Sequence, residues 1–481
     1  MQVRARHARA SLAKRLGMIA AQCIAVAGAA AAAAVLHCIQ DHHGGGPAFA
    51  WRLPRVRTDD LSRPRDHQPL AQQLAHTASA LDLLELVEQN SDGLNEELVD
   101  VAFRGLARAT PSTGKAEYSD DPRFHLLLSR TTDLLTNLRA DALSNVLLAL
   151  AKVQHHPGDA FMDDFKRATL RRMLRSKPQE ISVSIWAMAK LAYHPGTDFL
   201  RLVEEKSIRS MSSFAPRDMA TLLWSFATLR YYPDGLFWKP FWAAIQEKVT
   251  EFSGVEVSNT LWAFAKLEVQ PPQPLLEALL SQAESQLDEI NSQKMASILW
   301  SCIRLSHMPS EDLLQALPHR RDAEFRSFGQ KGLAHMVWIY GKLDYNPGAS
   351  FLNDVLDRLG RSLPPFGYCG PQGLSDILWA CAKLKHNPGK ERLGLLLGRV
   401  HHELSDSGPS QLAHIMWACS KLGFNPGDDF LQAWLEKARA KASGFSLADR
   451  NLARWSSKRL GFRAGAAFFA SSTFKVRAAE D

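Results

Sequence analysis

The chain is 481 residues long, 46% hydrophobic and 22% charged, with a net charge of +7. Those proportions exclude wholesale disorder. Six cysteines without a single C-x-x-C pair exclude a disulfide scaffold, a zinc ribbon and a thioredoxin-type site, and favour a reducing compartment. Residues 1–66 hold ten basic and four acidic side chains, so most of the positive charge belongs to the leader and the body is near neutral.

Residues 1–50 read as a targeting or apolar leader. Residues 1–40 lack Asp and Glu, and Arg4, Arg6, Arg9, Lys14 and Arg15 precede an alanine-rich stretch over 17–36. A secretory signal, a membrane anchor and an organellar transit peptide compete for it. The stretch is long for the first and weakly apolar for the second, while the absence of acids suits the third. The basic segment Phe49–Arg57 that follows resembles the second part of bipartite plastid leaders. An organelle is expected, plastid ahead of mitochondrion. Residues 51–80 read as a basic linker and 81–141 as a degenerate helical cap.

From 142 to 462 a repeat governs the chain. Trp186, Trp224, Trp262, Trp300, Trp338, Trp379, Trp417 and Trp455 follow one another at steps of 38 residues, with a single step of 41, and Leu148 holds the place before them. With this position as zero, +9 is proline in eight units (Pro157 to Pro426) and +5 is leucine from Leu191 to Leu460. Position +13 is mostly Phe or Leu, and −8 is proline at Pro178, Pro216, Pro371 and Pro409. A proline is tolerated in the first helical turn and breaks the chain at +9. One helix is therefore predicted from −8 to about +6, burying −5, −2, +2 and +5, and a second from about +11 to +25. A lone hairpin cannot bury both faces, so the fold class expected is all-α: a right-handed α-solenoid of 38-residue hairpins. Residues 463–481 read as a loose tail. Three extra residues near 363–367 lengthen one loop.

The segment Ile377-Leu378-Trp379-Ala380-Cys381-Ala382-Lys383-Leu384-Lys385-His386-Asn387-Pro388-Gly389 carries the motif L-W-A-x-A-K-L-x-x-x-P-G. Repeated eight times, it resembles the octotricopeptide repeat over 142–462. The helical-repeat proteins of mitochondrial RNA granules and of kinetoplastid RNA editing are similar. The resemblance implies an organellar RNA-binding factor that acts on particular transcripts. Many family members end in a RAP domain. The residues after 462 leave no room for one, and cleavage is not expected.

A second stripe lies opposite the apolar face of the first helix: −3, +1 and +4. Position +4 is basic in eight of nine units: Lys152, Lys190, Lys266, Arg304, Lys342, Lys383, Lys421 and Arg459, with Thr228 the exception. Position −3 is mostly polar and variable: Asn145, Thr221, Asn259, Ser297, His335, Asp376 and His414, with Val183 apolar among them. Position +1 is small in all but Ile339. A small residue would let a base approach, a polar one would meet its edge, and a cation would meet its phosphate, about one base per repeat. Each position also has a plainer reading: Trp packing between hairpins, Lys balancing a helix C-terminus, −3 merely solvated. Cys302, Cys381 and Cys419 at +2 read as core thiols, and His156, His194 and His386 as turn residues.

No catalytic motif, metal-ligand spacing or cofactor loop occurs, so no enzyme activity, metal or cofactor is expected. The function expected is sequence-selective binding of single-stranded organellar RNA in transcript processing, stability, editing or translation. Ribonucleoprotein components are further candidate partners, and no small-molecule substrate is expected. The alternatives are a protein-interaction scaffold on the same solenoid and, more remotely, an RNA-processing enzyme.

Overall fold

The computed structural model describes residues 68–110, 117–320, 325–326, 328–361 and 369–471. The expected leader over 1–50, the linker up to residue 67, the lengthened loop at 363–367 and the end of the tail from 472 lie outside them. Among the described residues every regular element is a helix, and none is long and apolar enough to cross a membrane.

The chain divides into two units, one ending at Glu289 and the other beginning at Ile290. The first holds α1 (Gln68–His76), α2 (Ala80–Gln89), α3 (Glu96–Ala109), α4 (Pro122–Leu134), α5 (Ala140–Lys152), α6 (Asp159–Arg172), α7 (Pro178–Lys190), α8 (Thr197–Arg209), α9 (Pro216–Thr228), α10 (Gly235–Lys248), α11 (Gly254–Lys266) and α12 (Gln273–Glu284). The second holds α13 (Ser292–Arg304), α14 (Glu311–Ala316), α15 (Gln330–Leu343), α16 (Ala349–Arg361), α17 (Gly370–Lys383), α18 (Lys390–Glu403), α19 (Pro409–Leu422), α20 (Asp428–Ala440), α21 (Leu447–Arg459) and α22 (Arg463–Phe468). Within each unit the first helices of successive hairpins pack side by side in one layer, and the second helices form a layer beside them. Each unit is thus a stack of helical hairpins, the α-solenoid arrangement.

The buried face follows the expected positions. Leu143, Val146, Leu150 and Val153 are buried in one hairpin, and Met219, Leu222, Phe226 and Leu229 in another. The +13 side chains Phe199, Phe237, Phe351 and Phe430 close the core from the second helix, each worth about 1.5–3 kcal/mol of burial.

The first helices end at +4 or +5, short of the predicted +6, because the residue at +6 turns left-handed. Gln154, Ala192, Arg230, Glu268, Ser306, Asp344 and Lys385 all have φ between 52° and 56°, and Gly423 and Gly461 take the same place. The +7 N–H then donates to the +2 carbonyl, as from Tyr193 to Met188 at 3.0 Å and from His386 to Cys381 at 2.9 Å. This bond closes the helix end in every hairpin. Four residues on, the glycine after the turn proline has φ of 91–99° at Gly158, Gly196, Gly348, Gly389 and Gly427, a conformation nearly confined to glycine. In two of the hairpins without that glycine a side chain caps the second helix instead: Asp234 accepts from Leu236 N and Ser310 from Leu313 N, both at 3.3 Å.

Both ends extend beyond the repeat. The span read as linker contains α1, which packs on α3 and buries Ala71 and Leu74. The span read as a cap is helical, and α3 stacks on α5 as successive first helices do. At the other end the span read as tail begins with α22. Phe469, just after it, is buried with its ring centroid 5.1 Å from Phe445 and 5.8 Å from Trp434. Aromatic burial closes the stack where a full second helix would otherwise lie.

Candidate nucleic-acid interface

At about 100° per residue, positions −7, −3, 0 and +4 of the first helix fall within about 60° of one another. This is the side of each first helix that its neighbours leave toward the surface, though in α7 and α9 only the two ends of the stripe, −7 and +4, reach solvent. In α7 every residue from Ile181 to Ala189 is buried, and in α9 every residue from Asp218 to Ala227.

The small residues at +1 do not belong to this stripe. Ala149, Ala187, Ser225, Ala263, Ser301, Ala380 and Ala418 are buried. They sit in the seam between adjacent first helices. Gly341, at +3 of α15, marks the contact: a Cβ there would lie 2.9 Å from Ala380 Cβ and 2.8 Å from Trp379 Cζ3 of α17. Small side chains at +1 let helices approach one another, and a base cannot enter there.

The cation column does reach the surface. Lys152, Lys190, Lys266 and Lys342 are half-buried, while Arg304, Lys383, Lys421 and Arg459 are exposed. All lie in the last turn of their helices, where a cation is also favoured by the helix dipole. In the second unit the tryptophans seat them. Lys342 Nζ lies 5.4 Å from the ring centroid of Trp338 and 4.8 Å from that of Trp379. Lys421 Nζ lies 5.8 Å from Trp417 and 5.2 Å from Trp455, whose ring also carries Arg459 at 5.7 Å. Such a seat contributes about 0.5–1 kcal/mol at an exposed site and fixes the ammonium group without neutralising it. Lys383 makes an ion pair with Asp344 at 3.4 Å, and Arg459 Nε donates to the Ser420 carbonyl at 3.0 Å. Burial lowers the Lys152 and Lys190 ammonium pKa values, with Arg217 adding to the effect at Lys152. Thr228, the exception, donates to the Trp224 carbonyl at 2.9 Å.

The −3 residues divide by unit. In the first, Thr221 and Asn259 are 0% and 3% exposed and Val183 is buried beside them, so these three cannot meet a ligand. Asn145 is half-buried and donates to Asp100 Oδ1 at 2.9 Å. In the second unit Ser297, His335, Asp376 and His414 are all half-buried and reach solvent. His335 stacks on Trp338 with ring centroids 5.3 Å apart. Asp376 accepts from Gln372 Nε2 at 2.9 Å, and Gln411 Nε2 donates to Gln372 Oε1 at 2.6 Å. Burial pushes the Asp376 carboxyl up to about 7 against the hydrogen bond from Gln372 and the charge of Lys342. Burial pulls the His414 imidazole down to about 4, opposed by Asp449 and helped by Lys342.

The tryptophans divide the same way. Trp186, Trp224 and Trp262 are 4–6% exposed, and Trp224 stacks on Trp262 with centroids 6.1 Å apart. In the second unit Trp300 is buried, Trp338, Trp379 and Trp417 are half-buried, and Trp455 is 41% exposed.

Two sets of residues escaped the sequence reading. Position −7 lies on the stripe and reaches solvent: Gln179, Arg217, Lys331, Gln372 and Ser410. A second column of donors lies at +20 or +24, near the end of the second helix. Arg172, Lys206, Lys248, Gln282, Arg358, Arg399 and Lys441 each donate to carbonyls at the end of the preceding hairpin. These groups are structural, and their split between two positions hid them from a single-phase reading. Among the turn histidines, His156 and His194 Nδ1 accept from the following glycine N–H at 3.1 Å, whereas His386 is buried and bonds Asn353 Oδ1 at 3.1 Å. Cys302, Cys381 and Cys419 are buried, and burial pushes the Cys381 and Cys419 thiols up to about 12. Among the described residues no three His, Cys, Asp or Glu side chains come together as metal ligands would.

Residues 70–271 match the family described as the Tbc2 translation factor, N-terminal domain. No curated protein matches the chain. Among solved structures, a homology model of the full-length AP-3 complex in an intermediate open conformation is 13% identical with a TM-score of 0.31, covering 85% of this chain and 74% of that one. The crystal structure of the pentatricopeptide repeat protein PPR10 from maize is 12% identical with a TM-score of 0.27, covering 93% of this chain and 78% of that one. At these TM-scores neither likeness bears on function.

Proposed function

We propose that this chain is an organellar octotricopeptide-type protein that binds single-stranded RNA sequence-selectively and regulates a transcript by binding and not by catalysis. The carrying observation is the cation at the end of nearly every first helix, reaching the surface on the same stripe as the −3 and −7 positions two and three turns before it. From +4 to −3 is about 10 Å along the helix axis. That spacing suits a phosphate held at one end and a base edge met at the other. The match over 70–271 to a domain named for a translation factor supports translation as the step controlled. The acid-free stretch over 1–40 supports the organelle.

Crosslinking and immunoprecipitation from cells, followed by RNA sequencing, tests this reading. One transcript, or a few, should be enriched at a short recurring sequence. Recovery of a partner polypeptide with no RNA above background would replace it with the scaffold reading.

A further inference from the structure

The two units do not offer a base the same surface. A base is held in register only where its edge is met at −7 and −3 and its face can lie against an accessible ring at 0. In α7, α9 and α11 the −3 side chains are buried and the tryptophans beside them are 4–6% exposed, so only −7 and +4 are reachable. In α15, α17 and α19 the −7, −3 and Trp positions all reach solvent. The α13 hairpin has Gln293 and Ser297 at the surface but keeps Trp300 buried, the α5 hairpin has Asp141 and Asn145 there but buried Leu148 in place of the ring, and the last has apolar residues, Ala448 and Leu452, at the two edge positions.

Resting on the RNA-binding reading, we infer that sequence is read by three hairpins of the second unit only. The reading pairs are Lys331 with His335, Gln372 with Asp376, and Ser410 with His414. The first unit holds RNA through phosphates and is indifferent to the base. The polar groups of the middle pair are already positioned: Gln411 holds Gln372, and Gln372 holds Asp376 by one carboxyl oxygen, leaving the other to accept from a base. Ser410 is likewise fixed, its Oγ donating to Asp449 Oδ2 at 2.9 Å. The three pairs differ in chemistry: cation with imidazole, amide with carboxyl, hydroxyl with imidazole. The recognised motif is therefore about three bases long, shorter than the repeat count suggests.

Selection from a random single-stranded RNA pool on the full-length protein, with ultraviolet crosslinks mapped to peptides, tests this. The expected result is a motif of about three positions, with base crosslinks in peptides covering 330–343, 370–383 and 409–422. The triple variant His335→Ala, Asp376→Ala, His414→Ala should keep its affinity for an unselected RNA within about twofold. It should lose about tenfold or more of its preference for the selected one. The control variant Asn145→Ala, Gln179→Ala should leave that preference unchanged. Circular dichroism and a urea melt establish that both variants fold. A motif of eight or nine informative positions would overturn the inference, as would base crosslinks in 178–190 or 216–228. Failure of the wild-type protein to bind any RNA would instead overturn the RNA reading on which it rests.

Discussion

Lys248 separates structural cations from those proposed to bind RNA. Its ammonium group donates to the Ser212 carbonyl at 2.7 Å and the Phe214 carbonyl at 2.8 Å, tying the end of α10 to the turn that precedes α9. Lys248→Met keeps the aliphatic stem and removes both donors. Hydrogen bonds from a charged group contribute about 1.5–3 kcal/mol, and the Phe214 carbonyl is partly buried, so water replaces the donor only in part. The Ser212 carbonyl is exposed and regains water at little cost. The net loss should be about 1.5–2 kcal/mol, read as a lower urea midpoint for the first unit. RNA affinity should be unchanged, because Lys248 lies in the second-helix layer. Lys266→Met, at +4, should do the reverse: weaker RNA binding with stability within about 0.5 kcal/mol of wild type. Equal stability of Lys248→Met and wild type would refute the account of the outer column. Loss of RNA affinity in that variant would refute the division between the columns.

Further outcomes follow from the same packing. Glu268→Gly relieves a left-handed residue, a conformation costing an L-residue about 1–2 kcal/mol, at a smaller entropic cost from the unfolded glycine. The urea midpoint should rise, by about 0.5–1 kcal/mol in stability. Gly341→Leu, directed at Trp379 and Ala380, should destabilise the second unit by about 1–3 kcal/mol in the same melt. His414 and Asp376 predict opposite pH behaviour. The folded imidazole at about 4 lies below its unfolded value, so the fold binds fewer protons there and stability is lost as pH falls from about 6.5 toward 4. The folded carboxyl at about 7 lies above its unfolded value, so stability is lost as pH rises from about 4 to 7. His414→Gln should therefore gain relative to wild type as pH falls below about 6.5. Asp376→Asn should gain as pH rises, with no gain below about pH 4, and denaturant melts across pH 4–8 check both.

Much of the architecture was legible because the prolines at −8 and +9 and the tryptophan at zero bracket each helix in a fixed phase. The helix ends were less so. Seven of the nine left-handed residues are not glycine, and only Gly423 and Gly461 carry the usual signal. The role of +1 was misread because helical angle alone does not say what lies opposite a face. At Ala380 it is Gly341 of the neighbouring helix and not solvent. The same ambiguity hid the burial of Thr221 and Asn259, polar residues that a single helix would show to water. The cations at +4 were legible because a long side chain in a last helical turn reaches the surface whatever packs below it. The ends of the stack broke the period, and α1 and α22 were missed with it.

Salt-dependent binding to a single-stranded RNA pool bears most directly on the central claim. Wild type should bind with affinity that falls steeply between about 50 and 300 mM salt. Replacing Lys190, Lys266, Lys342, Lys383 and Lys421 by Met should reduce the slope of log affinity against log salt by about 3.5, roughly 0.7 for each lysine. Helicity should be retained. The same affinity and the same slope in both proteins would contradict the account.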